Sequence, residues 1–126
     1  MSGAGLPPPD PEIWRGRAEW FVAALAANAG PEAPALDERA ERLLGEIEAA
    51  FCAGAWAACV MLAFTLAEPA IRKHGEGDPE YDLLRARRNA LAHGGGDALP
   101  SDAALEDQAQ AAIRTALRAL AEAAWR

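Results

Sequence analysis

Apolar residues recur at three- and four-residue spacing along nearly the whole chain, and no run shows strand alternation, so the pattern predicts helices alone. Asp10-Pro11-Glu12 supplies an N-cap, a proline at the first helical position and an acid in the first turn. The helix it starts runs to about Asn28 and stops at Gly30-Pro31, with Ile13, Trp20, Phe21, Ala24 and Leu25 inward. A second helix begins near Asp37 and carries Ala40, Leu44, Ile47 and Phe51 on one face. Gly54 marks a break, after which Ala55–His74 forms a third helix. Pro69 lies inside that pattern and is expected to kink it or loosen one turn. After a Gly75-Glu76-Gly77 loop, Asp78-Pro79-Glu80 repeats the opening start signal. The fourth helix runs from Pro79 to about His93, where Gly94-Gly95-Gly96 ends it. Ser101 or Asp102 then caps a last helix with Leu105, Ala109, Ile113, Ala116, Leu117, Leu120 and Ala124 in one stripe. The fold class is all-α: an antiparallel bundle of four to five helices over residues 10–126, behind a flexible tail at 1–9.

Composition agrees with this pattern. Alanine makes up roughly a quarter of the 126 residues and β-branched residues are scarce. A chain of this length holds one domain with a real core. The uncharged run Ala49–Ala67 spans 19 residues, close to bilayer length, but alanine and Gly54 fill it. It reads as a buried central helix, with no membrane association. The opening residues lack the basic and apolar regions of a signal peptide.

Cys52 and Cys59 stand seven residues apart among Ala, Phe, Trp and Val. On one continuous helix they would lie about 10 Å apart, too far for a disulfide, so they read as inert buried thiols. No four-ligand set suits a metal, and no cofactor is called for. Free thiols fit a reducing cytoplasm. Of the four tryptophans, Trp125 beside the C-terminus is expected to pack on a neighbouring helix.

The net charge is -7, with a pI near 4.8, which argues against a general nucleic-acid coat. One segment departs from that balance. Arg85-Ala86-Arg87-Arg88-Asn89-Ala90-Leu91-Ala92-His93 gathers three of the twelve basic residues and one of two histidines. On a helical wheel Tyr81, Leu84 and Leu91 form the apolar stripe, and Arg88 falls about 40° from Leu84. An arginine at a core stripe is costly without an anion to meet it. That anion has two readings. Glu68, the first charge after the apolar run, can pair with Arg88 and tie two helices together. His93 then only opposes the helix dipole, Asn89 bonds a backbone group, and Arg85 and Arg87 are solvated. Alternatively the anion is a phosphate, which guanidinium binds bidentately while histidine moves a proton beside it. Acting on RNA, such a set can promote attack of a 2′-hydroxyl on its own phosphate without a metal.

Arg88-Asn89-Ala90-Leu91-Ala92-His93 resembles the Arg-x(4–6)-His signature of the HEPN superfamily (higher eukaryotes and prokaryotes nucleotide-binding). Ala53-Gly54-Ala55-Trp56-Ala57-Ala58 and Leu66-Ala67-Glu68 resemble the family's small-residue helix leading to a glutamate, and the likeness covers about residues 37–126. The resemblance implies a metal-independent RNA endonuclease in a toxin–antitoxin or other defence system. Arg88 would hold the scissile phosphate, Asn89 support the site, His93 transfer protons, and Glu68 face the motif. Arg85 and Arg87 would add phosphate or RNA contacts. The resemblance also implies a homodimer, with an antitoxin or nucleotidyltransferase-like protein as partner. Other family members bind nucleotides or proteins without catalysis. The acidic charge and Pro69 beside Glu68 depart from that pattern. An acidic antitoxin that mimics nucleic acid fits the charge, but no motif stands behind it.

Overall fold

A computed structural model describes residues 7–29, 36–74, 77–93 and 99–124, and it uses the start signals as caps. The helices are α1 (Pro11–Ala29), α2 (Glu38–Ala53), α3 (Trp56–His74), α4 (Pro79–His93) and α5 (Asp102–Ala124). The Asp10 carboxylate accepts from the Glu12 amide at 2.9 Å, and Asp37 accepts from Ala40 at 2.7 Å. Asp78 accepts from the amides of Glu80 and Tyr81 at 2.9 and 3.2 Å. Between the two expected caps for α5, Ser101 is the one used, its hydroxyl accepting from Ala104 at 3.2 Å. Amides that a helix leaves without internal partners are thereby satisfied.

The described residues form an all-α bundle organised around α3, whose most extensive partner is α5. Both helices bring small residues inward: Ala63 and Ala67 on α3, Ala109, Ala112, Ala116 and Ala119 on α5, all buried. Small side chains let two helix axes approach closely. Helices α2 and α4 also pack on α3, while α1 bridges α2 and α5. The long uncharged run is thus divided between the end of α2 and the core-facing α3. No described helix is long and apolar enough to cross a membrane.

One expectation changes. Ile13 is half exposed, because burial along α1 begins only at Arg17, one turn later, and deepens at Phe21. Pro69 stands inside α3, where the pattern placed it, and the helix runs on through it to His74. A proline amide cannot donate, so the Thr65 carbonyl four residues earlier loses its helical partner. The Arg39 guanidinium on α2 donates to that carbonyl at 2.8 Å. The expected stops at Gly30-Pro31 and Gly94–Gly96, residues 1–6 of the tail, the Gly75-Glu76 part of the loop, the Ala124 side chain and Trp125 lie outside the described residues.

Gly54 turns the chain from α2 into α3 at φ +80°. Its amide donates to the Phe51 carbonyl at 3.1 Å and the Ala55 amide to Ala50 at 2.8 Å, the paired bonds of a left-handed helix end. Arg17 closes the corner: Nη1 donates to the Cys52 carbonyl at 3.1 Å while its guanidinium lies 4.7 Å from the Trp56 ring centre. A Cβ on Gly54 would meet that Nη1 at 3.1 Å. Gly54→Ala is therefore expected to lower the unfolding free energy by about 1–2 kcal/mol, from left-handed backbone strain plus displacement of Arg17. Urea unfolding followed by circular dichroism measures it, and an unchanged midpoint would refute this account of the corner.

Both thiols are free and buried. Burial pushes Cys59 up to about 12, and the nearby Cys52 adds to it. Burial and the charge of Glu48 also raise Cys52, while Arg17 lowers it. Neither thiol ionises readily at neutral pH, which fits the inert role.

Candidate functional site

Helix α4 lies on α3 and α5 through Tyr81 and Leu84, both buried, with Leu91 half-buried in the same stripe. Arg88 is half-buried at the α3 side, as its wheel position implies. Its partner there is an aromatic ring: the guanidinium carbon sits 4.2 Å from the centre of Phe64, a buried residue of α3. Glu68 does not reach it. That carboxylate turns along its own helix to Arg72, with Nη2 to Oε2 at 3.3 Å. Among the described residues no carboxylate lies within ion-pair distance of Arg88, and its buried Nε has no hydrogen-bond partner. The internal-pair reading of Arg88 therefore finds no anion.

The other motif residues take separate directions. Asn89 is half-buried and His93 is exposed at the last position of α4. No hydrogen bond joins Arg88, Asn89 and His93 to one another among the described residues. Five residues of helix correspond to about 140° of rotation, so Arg88 and His93 leave α4 at different azimuths. Arg85 is exposed and pairs with Asp82 one turn back at 3.4 Å. Arg87 faces the opposite flank from Arg88, lining a hollow between α4 and α5.

Sequence reasoning missed the strongest polar cluster, which lies at the other end of α4. Arg118 of α5 bonds Asp78 at 2.7 Å, contacts Glu80, approaches Glu122 at 3.4 Å and lies over the Tyr81 ring at 4.7 Å. The Tyr81 hydroxyl donates to Glu122 at 2.9 Å. The hydrogen bond from Arg118 holds the Asp78 carboxyl below its ordinary value. Three acids surround one guanidinium and fix the start of α4 to α5, and the buried Arg118 Nε, 3.4 Å from Glu122, makes an ion pair there but no hydrogen bond. Its members are about 40 residues apart in sequence, so no local pattern announces it.

No family model matches this chain, and neither does any curated protein or solved structure. The HEPN likeness thus rests on the motif residues alone. Among the described residues no group of histidines, cysteines and acids could hold a metal ion.

Proposed function

We propose that this protein binds RNA through the exposed side of α4 and cleaves it without a metal, as HEPN endoribonucleases do, in a toxin or defence role. One observation supports the reading most: in a chain with 19 acids against 12 bases, Arg88 has a buried, unpartnered Nε and, among the described residues, no carboxylate within ion-pair distance. A phosphate would supply the missing anion by charge-assisted bonds. In this scheme Arg88 holds the scissile phosphate and stabilises charge gathering on it, and His93 exchanges protons with the 2′-hydroxyl or the leaving oxygen. The 2′-oxygen attacks phosphorus, the 5′-oxygen leaves with a proton, and a cyclic phosphate remains. Because Arg88 and His93 diverge on one α4, the reading calls for a second copy of the chain to complete the site, a homodimer.

That same divergence favours a second reading, a module that binds RNA or a nucleotide through Arg88 without cutting it and recruits a protein partner. One experiment separates them. Purified protein is incubated with structured and unstructured RNAs in EDTA, beside His93→Ala. Cleavage by wild type that the variant loses, with unchanged helical dichroism, supports the enzyme. Binding with no cleavage in either supports the module, and neither binding nor cleavage removes both.

A further inference from the structure

We infer a second phosphate-binding site in the hollow between α4 and α5, on the flank of α4 away from Arg88. The hollow has a volume of about 240 Å³, with Arg87 on the α4 wall and Arg114 and Thr115 on the α5 wall. Leu83 and Leu84 supply its apolar side. Neither arginine has a carboxylate within ion-pair distance among the described residues, although acids outnumber bases in the chain. Glu80 also lines the hollow, but its carboxylate is engaged by Arg118. The hollow is thus lined by two arginines against one carboxylate in a chain where acids outnumber bases.

Thr115 gives the independent sign. It is the one polar residue in the buried set of the described chain, at 8 % exposure. A threonine within a helix commonly returns its hydroxyl to the carbonyl four residues back, as Thr65 does to Met61 at 3.0 Å. Thr115 makes no such bond among the described residues, which leaves its hydroxyl for an occupant of the hollow. Two arginines and a threonine lining one hollow from two helices are the donor types that bind the oxygens of a phosphate group. The half-exposed Leu83 offers an apolar surface for the body that carries it. The Arg114 guanidinium also lies 5.1 Å from the ring centre of Trp20 on α1. The site does not depend on cleavage at Arg88. Its phosphate can come from an RNA strand or from a small phosphate ester.

The test is a titration of the whole protein with inorganic phosphate at constant ionic strength, followed by amide resonances. Wild type is expected to show saturable shifts at residues 111–115 and at Arg87, retained in Arg88→Met. Arg87→Gln and Arg114→Gln are each expected to weaken binding about 10-fold or more, the loss of a charge-assisted bond. Two further probes assign the source. If RNA occupies the hollow, uncleavable 2′-O-methyl RNA binds more tightly than phosphate. Its salt dependence then falls by about 1.4 in log–log slope when both arginines are replaced. If adenosine monophosphate gives the same shifts and the RNA slope is unchanged, the occupant is a small ester. Absence of saturable shifts in wild type, or equal binding by the double variant, overturns the site. Failure of RNA cleavage alone leaves it intact.

Discussion

Replacing Phe51 with alanine is expected to remove about 3–5 kcal/mol of unfolding free energy, toward the upper end of that range. The ring is 1 % exposed and stands where three helices meet. It stacks on Trp20 of α1 with centres 4.7 Å apart and planes at 26°, and meets the edge of Trp56 on α3 at 5.2 Å. Such ring pairs contribute roughly 0.5–1.5 kcal/mol each beyond the area they bury. Removing the ring deprives both tryptophans of their aromatic partner at once. A single domain holds only about 5–15 kcal/mol in all, so the variant should lose a large share of its stability. Urea unfolding read by tryptophan fluorescence and by circular dichroism measures the loss. Phe51→Leu, which keeps most of the volume, should lose clearly less. A loss below about 1 kcal/mol for alanine would show that the aromatic cluster is not the centre of the core.

Arg88→Met is expected to separate function from folding. Methionine keeps a long apolar stem against Phe64 and removes the guanidinium. The fold loses a ring contact of about 0.5–1 kcal/mol, but it also sheds a buried nitrogen with no partner. Net stability should therefore stay within about 1 kcal/mol of wild type. Cleavage of RNA, under the proposed function, should fall on the order of 10²–10³-fold, the usual cost of losing one donor to a charged transition state. Lysine at the same position should restore only part of the rate, because it lacks the planar fork. The opposite pattern, a stability loss of several kcal/mol with intact cleavage, would identify Arg88 as a structural cation and sink the phosphate assignment.

Much of the fold was legible because helix signals are local. Asp10, Asp37, Asp78 and Ser101 all cap the helices they precede, and the wheel placed Arg88 at the edge of the α4 stripe. What escaped reading depended on residues far apart in the chain. The partner of Arg88 proved to be the face of Phe64, whereas charge pairing alone pointed to Glu68. Glu68 had a nearer cation in Arg72, four residues on, at the spacing that favours helix ion pairs. The Arg118 cluster and the Arg114–Thr115 wall arise only once α5 folds back on α4. The motif's chemistry was readable as residue types; its divergence around α4 follows from the five-residue spacing.

Pro69 carries a consequence for the order in which the chain assembles. An ordinary helix would satisfy the Thr65 carbonyl from within four residues, at the speed of local coil-to-helix conversion. Here the donor is Arg39, 26 residues away. By loop-closure scaling that exchange adds about 1.7 kcal/mol of chain entropy to completing this turn. The Thr65 carbonyl thus gains a protein donor only when α2 docks, so the proline ties one turn of α3 to the packing of a second helix.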